Sequence, residues 1–187
     1  YIVYRLSASL NVTQREKILK KFDSTFVDSY YLNQMRENVE REIALQPGRV
    51  FPDFLVFDKD GKTYTLSDFQ GKYLFIEFSA SWCGWCKKEI PFIRKAYHAL
   101  KDKGVVFITL MMDDQKEAWL HEIEKYNIEW YCLSDLKGMK KSPMVKLYNL
   151  GGIPDSFVID PQGKIVCRDL RGDEVLEKLT ELCNLPH

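Results

Sequence analysis

Residues Ser79–Pro91 read SASWCGWCKKEIP, and they hold two cysteines, Cys83 and Cys86, with two residues between them. The stretch follows Tyr73–Phe78, a nearly continuous apolar run of the kind expected for a strand covered on both faces. It leads into 84–101, where Ile90, Ile93, Tyr97 and Leu100 repeat at helical spacing. The cysteines therefore stand where a buried strand hands over to a helix. At that spacing the two sulfurs come within bridging distance. The first lies beside unpaired backbone N–H groups and the positive end of the helix dipole, which stabilise a thiolate. A thiolate is the attacking species in disulfide exchange, and the second thiol, one turn inward, is placed to resolve the mixed disulfide. A structural zinc site needs four ligands, and the chain has no second C-x-x-C and only scattered histidines, His98, His121 and His187. Redox chemistry is the expectation, since C-x-x-C beside a βαβ pattern is its signature.

Working outward, strands and helices alternate. Residues 54–57 and 62–66 flank Asp58-Lys59-Asp60-Gly61, and 156–159 and 164–169 flank Asp160-Pro161-Gln162-Gly163, two hairpin signals. Val105–Met111 predicts a second buried strand, and 116–126 a helix presenting Trp119, Ile123 and Tyr126. Ser142-Pro143 matches an N-cap followed by proline at the first helical position. Asp173–Leu182 places Val175, Leu176, Leu179 and Leu182 on one helical face. Helices between buried strands imply right-handed crossovers and an α/β fold with a central sheet covered on both sides. Residues 1–45 differ. Thr13-Gln14-Arg15-Glu16 fits a capping box ahead of Ile18, Leu19 and Phe22, and Val27, Tyr31, Val39 and Ile43 form a weaker stripe. Gln46-Pro47-Gly48 breaks the pattern, so 1–48 is expected to be a helical extension and linker, and 49–187 the main domain.

Composition narrows the partners. At 187 residues, 45% hydrophobic and 29% charged, the chain has ordinary globular material and enough of it for a sizeable core. Lys+Arg and Asp+Glu balance at 27 each, so no overall basic field invites nucleic acid or anionic lipid. No apolar run is long enough to span a membrane. A chain beginning at Tyr1 is expected to be a processed or trimmed form. Five cysteines is an odd number, which leaves at least one thiol free or paired elsewhere.

The chain from about Arg49 to Leu185 resembles the thioredoxin-like domain of the TlpA/ResA-type envelope thiol-disulfide oxidoreductases, a group with an AhpC/TSA-like fold. The resemblance rests on FPDFLVFDKDGK (51–62), LSDFQGKYLFIEFSASWCGWCKKEIP (66–91), KLYNLGGIPDSFVIDPQGK (146–164) and the closing helix. It implies a thioredoxin fold with a mixed central sheet, and a redox-active Cys83–Cys86 disulfide in place of any other cofactor. It further implies protein disulfides as substrates, a location in the periplasm or cell envelope, and a membrane electron donor that re-reduces the pair. Residues 1–45 lie outside it.

The resemblance also assigns supporting residues. Pro154 corresponds to a cis-proline facing the cysteines, which leaves Ile153 free to pair with a substrate strand. Glu77 corresponds to a buried acid that helps deprotonate the resolving thiol; desolvation would raise its pKa and suit it to shuttle a proton. Glu89, three residues after Cys86, matches a functional acid, against the plainer reading of a solvated helix charge. Trp82 matches a tryptophan that shields the site. Pro91 is expected to remove one helical hydrogen bond and kink the helix. Lys87 and Lys88 are expected in solvent, and Cys132, Cys167 and Cys183 as small buried hydrophobes.

Two positions depart from the family. Trp85 stands between the cysteines where proline is usual, and Asp155 follows the cis-proline where threonine is more frequent. Both bear on redox potential and substrate preference. A Trp85 backbone N–H aimed at the Cys83 sulfur would lower its pKa, a donor that proline lacks. Two rival functions remain at this point: a thiol peroxidase on the same fold, and a non-catalytic module whose thiols hold metal or a structural bridge.

Overall fold

The computed structural model describes residues 10–22 and 30–184, which fall into two compact units divided between Gln46 and Pro47. The first unit is a pair of helices, α1 (Val12–Phe22) and α2 (Tyr30–Ala44). Leu19, Met35 and Val39 form its small core, with Val12, Ile18, Leu32 and Ile43 packed around them. The stripe on α2 therefore runs through Leu32 and Met35, while Tyr31 is exposed and Val27 lies outside the described residues. The capping box also sits two residues earlier than the sequence suggests. Asn11 accepts from the Gln14 N–H at 2.9 Å, and Gln14 Oε1 accepts from the Asn11 N–H at 3.0 Å. Asparagine is among the strongest N-caps, so it takes the terminus and leaves Thr13 inside the helix.

The second unit is built on one sheet of seven strands, β1 (Val56–Phe57), β2 (Thr63–Tyr64), β3 (Tyr73–Ser79), β4 (Val105–Met111), β5 (Tyr131–Ser134), β6 (Asp155–Ile159) and β7 (Ile165–Arg168). Their order across the sheet is β2-β1-β5-β4-β3-β6-β7. The central β3, β4 and β5 are parallel, and β6, β7, β1 and β2 join antiparallel on either side. Both predicted hairpins form, β1–β2 and β6–β7, with Gly61 and Gly163 at positive φ in their turns. The helices are α3 (Gly84–Leu100), α4 (Lys116–Lys125), α5 (Gly138–Lys141), α6 (Pro143–Leu147) and α7 (Glu174–Cys183). Helix α3 continues through Pro91.

Sheet alternation decides what each face does. Phe75, Phe107 and Val158 pack against Ile90, Ile93, Ala96 and Leu100 of α3 and Val175 and Leu179 of α7. The opposite face stacks Phe78, Phe157, Phe51 and the fully buried Tyr148, whose hydroxyl donates to the Pro52 carbonyl at 2.9 Å. Each face is thus dry, which fits the near-continuous apolar runs of β3 and β4. Among the described residues no helix is long and apolar enough to cross a membrane.

Candidate active site

Strand β3 ends at Ser79, and four residues later Cys83 caps α3. Its backbone is extended, and its sulfur accepts the Cys86 N–H at 3.1 Å. A sulfur thus fills the place that a serine or aspartate oxygen takes in most N-caps. Cys83 and Cys86 form a disulfide with an S–S distance of 2.08 Å. Cys83 retains 6% of its surface and Cys86 only 1%, so an incoming substrate meets Cys83 first. Ahead of them Ser81 donates its N–H at 3.0 Å and its hydroxyl at 2.5 Å to the buried Asp113 carboxylate, which ties the loop to the end of β4.

The donor at the Cys83 sulfur is the N–H of Cys86, not that of Trp85. Trp85 and Cys86 hold the second and third helical positions, neither with an intrahelical acceptor, and the cap sulfur takes the N–H of the third. A proline at residue 85 would therefore leave the bond at Cys83 in place. Trp85→Pro and Trp85→Ala are expected to give reduction potentials within about 30 mV of each other, measured by redox titration.

The Ile153–Pro154 peptide is cis, and the Ile153 carbonyl oxygen lies 3.6 Å from the Cys83 sulfur. Trp82 and Trp85 are 61% and 70% exposed, so they flank the pair as open apolar surface instead of covering it. The Lys88 ammonium stands 4.0 Å above the Trp85 ring, and Lys87 lies 3.8 Å from the buried Glu122 of α4. Both lysines are thus engaged, one by cation–π attraction and one by an ion pair, and neither simply extends into water.

Glu77 is 3% exposed, on the sheet face that α3 covers, because it lies two residues along β3 from Phe75 and so shares its face. It pairs in register with Thr109 of β4 and Ser156 of β6. Oε1 of Glu77 has no hydrogen-bond partner among the described residues. Burial pushes its carboxyl up to about 8 with help from the Glu89 charge, while Arg171 and the Thr109 hydroxyl pull back. Glu89 is not a free helix charge either. Its carboxylate accepts the Gly172 N–H at 2.8 Å, across the β7–α7 connection.

Asp155 turns to the opposite face of the sheet, level with Phe78. It is buried, and Arg168 grips both its carboxylate oxygens while lying over the Phe157 ring. The departure from threonine is thus absorbed by an ion pair whose carboxylate is buried and whose guanidinium is half-buried. Removing the arginine leaves a carboxylate without its counter-charge. Arg168→Met is expected to lose about 3 kcal/mol of stability at neutral pH, read from urea denaturation.

Of the other cysteines, Cys132 is buried and accepts the Trp119 indole N–H at 3.3 Å, with its thiol pushed up to about 12 by burial. Cys167 and Cys183 are only half-buried, so the expectation of buried thiols holds for Cys132 alone. No cluster of three or more His, Cys, Asp or Glu fit to hold a metal occurs among the described residues.

A redox pair at a helix N-terminus, beside a cis-proline on a thioredoxin-like sheet, defines a class, and comparison with known proteins places the chain in it. The AhpC/TSA family model matches residues 47–168. Thiol-disulfide oxidoreductase ResA of Bacillus thuringiensis subsp. konkukian is 33% identical over 141 residues, 75% of this chain and 79% of that protein. ResA of Bacillus subtilis is 29% identical over 123 residues, covering 66% of each chain. Among solved structures, the thioredoxin domain of a Bacteroides vulgatus thiol-disulfide oxidoreductase aligns with a TM-score of 0.70 at 33% identity, over 75% of this chain and 99% of that one. A thiol:disulfide interchange protein from a Bacteroides species aligns with a TM-score of 0.69, also at 33% identity, over 75% and 92%. The chain belongs to the AhpC/TSA family and, within it, to the thiol-disulfide oxidoreductases of the ResA type.

Proposed function

We propose that the protein reduces disulfides of other proteins outside the cytoplasm, with Cys83 as nucleophile, Cys86 as resolver and Glu77 as the base that activates Cys86. The observation that carries this reading is the Cys86 N–H at 3.1 Å from the Cys83 sulfur, which favours charge on Cys83 over charge on the inner cysteine. In the reduced protein the Cys83 thiolate attacks one sulfur of the substrate disulfide, and the other substrate sulfur leaves as a thiolate. Glu77 then takes the Cys86 proton. The Cys86 thiolate attacks the Cys83 sulfur, closes the Cys83–Cys86 disulfide and releases the second substrate thiolate. The substrate gains two electrons and the pair loses two.

Ile153 offers its backbone to the substrate strand beside Cys83, next to Pro154, while Trp82 and Trp85 supply apolar surface around the sulfurs. Glu89 acts on the base through its charge. The envelope location, the freedom from any cofactor beyond the disulfide, and a membrane-borne dithiol donor that restores the reduced pair rest on the ResA-type relationship. The test is stoichiometry. One disulfide should form on the protein for each substrate disulfide reduced, and peroxide should not be consumed without a disulfide substrate. Peroxide turnover in place of disulfide reduction would replace this reading with a peroxidase.

A further inference from the structure

Arg171 lies in the β7–α7 connection, with nothing in its sequence neighbourhood to mark it. Its guanidinium donates to the Pro154 carbonyl, to Ser156 Oγ at 3.2 Å and to the Leu170 carbonyl at 2.8 Å. Pro154 is the cis-proline beside Cys83, and Ser156 is the residue level with Glu77 on β6. The next residue, Gly172, donates its N–H to the Glu89 carboxylate at 2.8 Å from a φ of 57°, a conformation that favours glycine. Two adjacent residues therefore join the cis-proline loop, the row that holds the buried acid, and the helix that carries the thiols.

A plain surface strut does not account for this placement. The ion pair that Arg171 makes with exposed Asp169 is loose, at 3.6 Å, while the guanidinium's hydrogen bonds outside its own connection run to Ser156 of β6 and to Pro154 just before it. Arginine suits the task because its fork can bind a carbonyl and a hydroxyl at once while keeping its charge.

We propose that Arg171 is a positioning residue for thiol–disulfide exchange, its guanidinium holding the Pro154 carbonyl, and with it Ile153, at the Cys83 sulfur and setting a positive charge, through Ser156, beside the row that holds Glu77. The proposal rests on the reading of Glu77 as the base. The groups that act on Glu77 are Glu89 from α3, Arg171 from the β7–α7 connection and the Thr109 hydroxyl from β4. Ser156 of β6 and the neutral Cys132 thiol of β5 complete its row. Arg171 is thus the cation among the charges acting on the carboxyl. Removing it leaves burial and Glu89 unopposed, so the carboxyl holds its proton to higher pH and the base-dependent limb of resolution moves upward.

The experiment measures the rate of resolution and KM against pH for the full chain, with a peptide carrying one intramolecular disulfide as probe. Arg171→Gln keeps a donor and drops the charge; Arg171→Lys keeps the charge and drops the fork. The Gln variant is expected to shift the limb upward by about one pH unit and the Lys variant by less than about 0.3 unit, with KM raised several-fold in both. A merely structural arginine would not separate the two variants. Equal shifts in both, or no shift in Arg171→Gln beside a flattened limb in Glu77→Gln, overturn the proposal alone. A Glu77→Gln protein that keeps the wild-type limb overturns the base assignment, and the electrostatic half of the proposal with it.

Discussion

Cys86→Ser is expected to accumulate a mixed disulfide between Cys83 and a substrate protein, while Cys83→Ser accumulates none and falls to the uncatalysed background. The asymmetry follows from the cap. Cys83 keeps the residual exposure and receives the Cys86 backbone N–H, and the serine variant at 86 retains that N–H. Attack therefore proceeds in Cys86→Ser, but no second thiol is present to resolve the product. In Cys83→Ser the remaining thiol is buried behind the helix terminus and lacks the donor that stabilises charge. Non-reducing gels after alkylation, with mass spectrometry of the adduct, read both variants. Equal trapping by the two would contradict the assignment of roles.

Glu77→Gln has the next largest effect, and it shows in both rate and stability. If Glu77 takes the Cys86 proton, resolution in the parent protein rises with pH through about 8, where the carboxyl ionises. The amide abolishes that limb and slows resolution by about 100-fold at pH 8. Stability moves the other way. The folded carboxyl is raised from 4.5 to about 8, so its contribution is fully present below pH 4.5 and is lost as pH rises through 8. The loss is on the order of 4–5 kcal/mol at about 1.4 kcal/mol per pH unit. Glutamine stays neutral, so the variant should keep at pH 9 the stability it has at pH 5, as urea melts at the two pH values would reveal. A variant with the parent's fall between those pH values would show that Glu77 is not the buried group that titrates.

The central strands and α3 were legible because burial on both faces leaves continuous apolar runs and because C-x-x-C marks the junction between them. Strand β5 left no such mark. Its four residues, Tyr131-Cys132-Leu133-Ser134, mix polar and apolar types, and only pairing with β4 and one residue of β1 makes them a strand. The α1 cap was misplaced because Thr13 and Glu16 satisfy a pattern that Asn11 and Gln14 satisfy with better geometry. At the site, Cys83, Cys86, Pro154 and Glu77 carry their own chemical signals: a spacing, a glycine-flanked proline, and an acid inside an apolar run. Arg171, Asp113 and Arg168 do not. Each is a charged residue near a strand end, and its partner is set by sheet register or loop path across a long sequence gap. The donor at Cys83 shows the same limit on a smaller scale. Which N–H meets a cap is a matter of helical geometry, which a difference of one residue type between the cysteines does not disclose.

The central claim, that the Cys83–Cys86 pair is a working reductant, is tested most directly by its reduction potential in a glutathione or dithiothreitol titration. The account predicts a value between about −300 and −180 mV, reducing enough to open substrate disulfides yet accessible to a dithiol donor. A value near about −120 mV would make the protein an oxidant, and one well below about −300 mV would make the pair a structural bridge. Either would contradict the account.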